Sequence, residues 1–362
     1  MVTRSGSVSH HGILKKLGLA SALAAGLLSV VLLAQEAAPT KGAGANLENG
    51  GRLYGMYCLQ CHGPDGEDLR CQEIVPLAGL GRRPRVGLVG DVLSPSYFFR
   101  GVAYRGADAR DLAAFLLSLK GEKGFEDPGL RCAPRLLRRR YGFSGAYRVI
   151  DVRSAAAYAK GHIPNAVSWP ADEEPSERQP PAAGVVNQKL GLFAVRPAMS
   201  IVIYDDAVTP RAAQLWWNLV DAGHRNVAIL DGGLRGWADE EGYLTAGVTR
   251  LAPGACVPLQ WAELAAVRAD ADYRVLHLKA GTSEPTPGVF DWERTLNEGQ
   301  LRTAAEIREY LEHCEIRLPG TYRVEGSDAE AAYLVYLLRL LGDSGASYDP
   351  INKLLIAGIP RP

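Results

Sequence analysis

The sequence predicts a multidomain protein in which an all-α domain is followed by two α/β domains with parallel sheets. Within residues 45–121, two stretches carry apolar residues at helical spacing. From Tyr147 onward, short apolar strands alternate with helices, an order typical of a parallel sheet. This α/β pattern occurs twice, because YRVIDVR at 147–153 returns as YRVLHLK at 273–279. A chain of 362 residues has room for about two or three domains.

The composition is that of an ordinary globular protein. Lysine and arginine together number 40, and aspartate and glutamate also number 40. A net charge of zero gives no reason to expect a nucleic-acid partner or an anionic membrane surface. Hydrophobic residues make up 47% of the chain, which is enough for well-formed cores.

The N-terminus has the pattern of an export segment. Basic residues precede an uncharged run of apolar and small residues from Leu17 to Ala34. This pattern fits a signal peptide, and its length also fits a membrane anchor. We predict a signal peptide or anchor over residues 1–34 and a flexible linker over residues 35–44. The expected location is the periplasm or another extracytoplasmic compartment, with the anchor, if retained, in the inner membrane.

The stretch CLQCH at 58–62 is Cys-x-x-Cys-His, the attachment pattern of a c-type haem. The thiols of Cys58 and Cys61 add to the haem vinyl groups, and the adjacent His62 becomes an axial iron ligand. A thioredoxin-like redox pair or half of a zinc site are the other interpretations. Neither needs a His directly after the second Cys, and the sequence has no second Cys-x-x-Cys. We therefore predict one covalent haem c.

Four further cysteines remain: Cys71, Cys132, Cys256 and Cys314. In an oxidising compartment, disulfides between residues 71 and 132 and between residues 256 and 314 are one alternative. Free buried thiols are the other, because sequence alone does not fix the connectivity.

Two helices frame the haem motif. Asn46 is placed to cap a helix that leads to Cys58, and Asp108 begins a second helix that ends near Gly121. A helix with the haem cysteines, a loop and a closing helix resemble a small class I cytochrome c over residues 45–121. The resemblance implies a Met in the loop before the last helix as the second axial ligand.

The expected Met is missing, because neither Met nor His lies between His62 and Gly121. Tyr104 and Cys71 are the local candidates for the sixth iron ligand. The alternatives are a packing aromatic for Tyr104 and a disulfide or buried thiol for Cys71.

Residues 122–140 are predicted to be a linker that ends in a solvated cluster of arginines. The two α/β domains are then expected over residues 141–248 and 255–362. Two helix starts in them carry caps. Thr209 precedes Pro210 in the first domain, and Thr303 with Glu306 forms a capping box in the second.

Three motifs in the first α/β domain are DVR at 151–153, GHIPNA at 161–166 and LDGGLRGW at 230–237. Together they resemble a tandem rhodanese, the thiosulfate sulfurtransferase-like type with two copies of one domain. The second copy is degenerate. It has His277 and Lys279 where the family tends to have Asp and Arg, and it lacks the GHIP run.

The resemblance implies a catalytic Cys at the end of a central strand, which carries sulfur as a persulfide. IVIYDD at 201–206 matches TYRVEG at 321–326, so this position falls on Asp205 and Glu325. A carboxylate is a weak nucleophile toward sulfur and repels an anionic substrate. We therefore predict an inactive rhodanese pair, with both carboxylates capping the helices that follow them.

The sequence thus predicts an exported monohaem cytochrome that exchanges electrons with a redox partner protein. Its link to thiosulfate or sulfide metabolism rests on the fold resemblance. The rhodanese pair is expected to bind a small sulfur compound or to dock the partner. Two alternatives remain: a haem enzyme or sulfurtransferase that acts on a sulfur substrate, and a redox sensor or binding scaffold.

Overall fold

The computed structural model describes residues 44–67, 77–78, 107–134, 137, 147–170, 183–195, 199–224, 226–249, 273–282 and 284–358. The predicted export segment at 1–34 lies outside the described residues, as do Tyr104, Cys71 and Cys256. Within the described ranges, no helix is long and apolar enough to cross a membrane.

Three helices are described before residue 120: α1 (Leu47–Tyr57), α2 (Leu59–His62) and α3 (Ala107–Ser118). The predicted cap of α1 is confirmed, because the Asn49 amide donates to Asn46 Oδ1 at 3.1 Å. α1 and α3 approach closely at Gly50, where an added Cβ would lie 2.2 Å from the Asp111 carbonyl oxygen. Only glycine fits at this crossing.

The residues form two compact units by their contacts. Of the described residues, one unit contains 44–54 and 107–115, and the other contains 55–67, 77–78 and those from 116 onward. The Cys-x-x-Cys-His segment therefore groups with the α/β part of the chain. The cytochrome domain over residues 45–121 stays a prediction, because residues 68–76 and 79–106 lie outside the described residues.

The first sheet has five parallel strands in the order β1-β5-β4-β2-β3. These strands are β1 (Arg131–Cys132), β2 (Tyr147–Asp151), β3 (Val167–Ser168), β4 (Ser200–Tyr204) and β5 (Val227–Leu230). The helices are α4 (Ala155–Lys160), α5 (Ala183–Leu192), α6 (Pro210–Asp221) and α7 (Gly233–Asp239).

Part of the predicted linker at 122–140 belongs to this fold, so the prediction of a linker is wrong there. Arg131 and Cys132 pair with β5 as its parallel neighbour. Phe125 is 1% exposed and lies in the main hydrophobic core. A strand of two residues shows no alternation of polar and apolar residues, which is why its sequence does not mark it.

The second sheet also has five strands, in the order β11-β12-β10-β6-β7. They are β6 (Arg274–Leu278), β7 (Val289–Phe290), β10 (Gly320–Glu325), β11 (Ser347–Asp349) and β12 (Leu354–Ala357). A separate hairpin pairs β8 (Leu296–Asn297) with β9 (Gln300–Leu301), and the helices are α8 (Ala304–His313) and α9 (Asp328–Leu340).

The second sheet is mixed, which corrects the prediction of two parallel sheets. β12 runs antiparallel to both β10 and β11. The chain turns back after Asp349, so β12 takes the place beside the central strand that β5 takes in the first sheet. The two predicted caps are confirmed, since Thr209 caps α6 and Thr303 forms a capping box with Glu306 at α8.

One hydrophobic core joins the two sheets. α6 packs against α9, and the rings of Trp216 and Tyr336 lie 5.2 Å apart between their centroids. Ile203 of β4 and Val324 of β10 both point into this core. The inner faces of the two sheets are therefore buried together.

The outer faces of the sheets differ. In the first sheet, Val149 and Val202 are buried against Tyr158 and Trp237. In the second sheet, the residues next to the buried Leu276, Leu278, Tyr322 and Val324 are exposed, namely Val275, His277, Arg323 and Glu325. The second sheet thus has a buried inner face and a largely polar, exposed outer face.

Acid is expected to destabilise the first α/β domain through His224. This residue follows α6, is 3% exposed, and has no hydrogen-bond partner at either ring nitrogen. Burial lowers the pKa of His224 to about 4. The unfolded ring binds a proton near pH 6.5, so the neutral ring favours folding above that pH, and this contribution is lost as the pH falls to about 4. It corresponds to about 3 kcal/mol of the free energy of unfolding.

Urea unfolding at about pH 7 and about pH 4 measures this effect. The His224→Phe variant should lose this part of the pH dependence. His313→Phe is the control, since that ring is exposed. An unchanged pH dependence in His224→Phe would contradict the assignment.

Candidate functional site

The Cys-x-x-Cys-His segment forms one tight turn. Cys58 joins α1 to α2, and its carbonyl oxygen accepts the amides of Cys61 at 3.1 Å and His62 at 2.9 Å. Both cysteines are of intermediate burial. The turn therefore carries the three side chains that were predicted to hold haem on a few consecutive residues.

The electrostatics of this turn differ from those of a redox-active dithiol. Burial, with a smaller effect of Cys61, raises the pKa of the Cys58 thiol to about 11. Catalytic dithiols instead have a lowered pKa, because the thiolate is the nucleophile. Burial also lowers the pKa of His62 to about 4, so the ring is neutral and able to bind a metal.

The residues of this turn fit a covalent haem c. His62 Nδ1 is buried without a hydrogen-bond partner, and such atoms are rare unless a group outside the chain satisfies them. Haem c would be held by Cys58 and Cys61 through thioethers and by His62 at the iron. It would supply a one-electron redox centre.

The described residues contain no cluster of three or more His, Cys, Asp or Glu side chains that could hold another metal ion. The two candidates for the sixth haem ligand, Tyr104 and Cys71, lie outside these residues. Cys314 is a free and buried thiol, which favours the second of the two alternatives for that residue.

The loop after β4 holds Asp205 at the position expected for a sulfurtransferase nucleophile. Asp205 is 3% exposed and accepts the Thr209 hydroxyl at 2.6 Å and the Asp206 amide at 2.8 Å. Arg211 Nε lies 3.5 Å from the same carboxylate. Thr209 in turn accepts the Ala212 amide as the cap of α6. The Asp205 carboxylate thus supports the cap of α6 indirectly, because it holds the Thr209 hydroxyl. Its own hydrogen bonds also close the loop.

The loop is braced by the DVR motif at the end of β2. Arg153 Nη2 donates to Asp151 Oδ2 at 2.7 Å, and the Tyr204 hydroxyl donates to the same oxygen at 2.5 Å. Burial and the neighbouring Asp151 raise the pKa of Tyr204, so the hydroxyl remains a donor. His162 stacks on the Tyr158 ring at 3.9 Å between centroids and contacts the Tyr158 carbonyl oxygen. These contacts fix the shape of the sheet edge.

The hairpin of β8 and β9 covers this loop. The Val208 amide donates to the Gly299 carbonyl oxygen at 3.3 Å. The Leu301 amide donates to Asp231 Oδ1 at 2.8 Å. At Gly233, an added Cβ would lie 2.4 Å from the Asp205 carbonyl oxygen, which explains a glycine in the DGG motif. The first-copy loop is therefore closed by backbone contacts as well.

The registers of the two sheets shift the predicted match between their central strands by one residue. Asp151 lies opposite Tyr204, and His277 lies opposite Glu325. Because Asp151 and His277 match in the repeat, Glu325 corresponds to Tyr204. Gly326 then takes the position of Asp205. The sequence comparison misses this shift because the loops that follow the two strands differ in length.

The loop after β10 is too short to surround a nucleophile. Residues 205–209 separate β4 from α6, whereas only residues 326–327 separate β10 from α9. The helix is capped by Ser327 in a capping box with Glu330, which corrects the prediction that Glu325 is the cap. The Glu325 side chain is 56% exposed, and its Oε2 lies 3.1 Å from His277 Nδ1.

Sequence comparisons show which known proteins the α/β part of the chain is similar to. A profile of the rhodanese-like domain matches residues 135–240. A thiosulfate sulfurtransferase of Pseudomonas aeruginosa is 31% identical over 193 residues, which cover 45% of this chain and 70% of that protein. A 3-mercaptopyruvate sulfurtransferase of Escherichia coli is 27% identical over 188 residues, or 43% of this chain and 66% of that protein. SseB of Mycobacterium tuberculosis is 33% identical over 109 residues, and the chain spans 38% of its length.

The fold agrees with a solved relative. SseA from Escherichia coli, a 3-mercaptopyruvate sulfotransferase with the rhodanese fold, superposes with a TM-score of 0.50 at 20% identity. The superposition covers 59% of this chain and 94% of that chain. With the match to the Pseudomonas aeruginosa protein and the rhodanese-like profile, the chain belongs to the rhodanese family.

Proposed function

We propose that this protein is an exported monohaem c-type cytochrome whose electron transfer is linked to sulfur-compound metabolism. The observation that carries the proposal is the turn of Cys58, Cys61 and His62, with its buried and unpartnered imidazole nitrogen. The high pKa of the Cys58 thiol argues against a catalytic dithiol at the same place. Haem c then serves as the redox centre for a partner protein.

Export supports the same function. Covalent attachment of haem c takes place outside the cytoplasm, and the segment at 1–34 has the sequence pattern of a signal peptide or anchor. We propose a periplasmic or other extracytoplasmic location, with attachment to the inner membrane if the segment is retained.

We also propose that the two sheets are a tandem rhodanese module with a degenerate second copy. The repeat of YRVIDVR as YRVLHLK and the shared inner core support the duplication. The names of the relatives point to sulfur compounds. Since both loops lack a thiol, the module would dock a redox partner or bind a small sulfur compound elsewhere on its surface.

A sulfurtransferase is the second candidate, because the relatives carry that activity in their names. It requires a nucleophilic thiol outside the two loops. Among the cysteines that the structure describes, Cys132 is the stronger candidate, since it ends β1 at the carboxyl edge of the first sheet. Absorption spectra separate the two candidates. An electron carrier shows a haem spectrum that changes on addition of sulfide or thiosulfate, whereas a sulfurtransferase without haem shows none.

The iron is expected to lack a Met ligand. The methionines are Met1, Met56 and Met199, and Met199 is 2% exposed beside the first sheet. The oxidised protein should therefore lack the weak far-red band of Met–iron charge transfer, and its potential should lie below that of a His/Met cytochrome. A far-red band that disappears in Met56→Leu would contradict this expectation, because Met56 is exposed on α1.

A further inference from the structure

A buried group of charges surrounds Arg131 of β1. Arg131 is 6% exposed, and its Nη2 lies 2.6 Å from Glu67 Oε2. Its Nη1 lies 2.7 Å from Asp231 Oδ2, and Lys123 Nζ lies 2.8 Å from the same oxygen. Glu67 and Asp231 are 4% and 1% exposed. Glu122 Oε1 lies 3.7 Å from Arg131 Nη1 as well, so three carboxylates surround Arg131, and Lys123 shares Asp231 with it.

This group joins segments that are distant in the sequence. Glu67 follows the Cys-x-x-Cys-His turn, Arg131 lies in the edge strand, and Asp231 begins the DGG motif after β5. An added Cβ on Gly121 would lie 2.1 Å from Glu67 Oε1, so the Glu67 side chain fills all the space there. The Gly66 carbonyl oxygen accepts the amides of residues 77 and 78, which holds the backbone beside Glu67.

The group is stable only while it is complete. Burial acts to raise the pKa of Asp231, yet Arg131 and Lys123 hold it below its usual value. Removing one member of a buried ion pair leaves an uncompensated charge, which destabilises a protein strongly. Loss of the Arg131 guanidinium would remove the cation that the two buried carboxylates of Glu67 and Asp231 both contact.

We propose that Arg131 is a positioning residue that couples the Cys-x-x-Cys-His turn to the carboxyl edge of the first sheet. The turn and the two sheets then unfold as one cooperative unit and not as two domains joined by a linker. The choice of optical probe rests on the proposed haem, whereas the coupling itself rests on the contacts of Glu67, Arg131 and Asp231.

Two signals of the full chain separate these parts in urea unfolding. All 6 tryptophans lie after residue 168, so the wavelength of their emission maximum reports on the α/β part. The haem Soret band reports on the Cys-x-x-Cys-His turn. If a preparation carries no haem, the proposed function fails, and the turn is followed instead by alkylation of Cys58 and Cys61, located by mass spectrometry.

In the wild type, both signals should change at one urea concentration. In Arg131→Met, the signal of the turn should change first, at a urea concentration lower by about 1 M or more. In Glu67→Gln, the signal of the turn should also change first, with a smaller difference in urea concentration. If Arg131→Met does not fold, Glu67→Gln decides the test. Arg308→Met is the control, because Arg308 is exposed and its ion pair with Glu126 measures 3.5 Å.

If Arg131 only contributed to overall stability, Arg131→Met would lower the urea concentration of both transitions by the same amount. Coincident transitions in Arg131→Met and Glu67→Gln would therefore overturn the proposal. Two separate transitions in the wild type would overturn it as well.

Discussion

The full chain is expected to transfer no sulfur from thiosulfate to cyanide, and Glu325→Cys is expected to be equally inactive. Transfer needs a thiolate at the strand end, surrounded by amide donors of a loop. After β4, Asp205 occupies that place and accepts hydrogen bonds from the donors itself. After β10, the register puts Gly326 there, and residues 326–327 are the whole loop before α9. Loss of a nucleophile costs hydrolases about 10⁶ in kcat.

Asp205→Cys is the matched comparison for Glu325→Cys. The longer loop keeps the Asp206 amide, the Thr209 hydroxyl and the Arg211 guanidinium near the new thiol. We expect the pKa of this thiol to be lowered and a slow formation of persulfide, limited by the hairpin that covers the loop. The cyanide assay measures turnover, and mass spectrometry measures the added sulfur.

Turnover by the unmodified chain would contradict this account. If alkylation abolished it, Cys132→Ser and Cys314→Ser would identify the thiol. Cys314 is the weaker candidate, because it is 1% exposed and burial raises its pKa. Loss of turnover in Cys132→Ser alone would show that the sulfur is carried by Cys132, in the edge strand of the first sheet.

The double variant with Cys58→Ala and Cys61→Ala is expected to lose all covalent haem. The two thioethers are the only bonds that would hold haem after unfolding, because His62 is a reversible ligand. Each single variant should keep one thioether and show a shifted absorption maximum of the reduced haem. Cys132→Ala is the control and should keep the wild-type spectrum. Haem that survives unfolding of the double variant would place the attachment elsewhere.

Local signals in the sequence account for much of the fold. Asn46, Thr209 and the pair Thr303 and Glu306 mark helix starts that the structure has. Their effect depends on neighbours within a few residues, which is why it is visible in the sequence. The alternation of strands and helices after Tyr147 likewise reflects the burial of each segment against the same sheet.

The remaining features depend on contacts between distant residues. Arg131 meets Glu67 across 64 residues and Asp231 across 100 residues, and no local pattern indicates either pair. β12 runs antiparallel because of where the chain turns after Asp349. The equivalence of Glu325 and Tyr204 follows from the sheet register, which a comparison of letters across loops of different length does not fix.

Haem content after complete unfolding tests the central claim most directly. The full chain is expressed with its own N-terminus in a host that exports and matures c-type cytochromes, and it is then unfolded in acid and organic solvent. The account predicts that the haem absorption stays with the protein and that the peptide containing Cys58 and Cys61 carries the mass of one haem. Haem found entirely in the solvent, with an unmodified peptide, would contradict the claim.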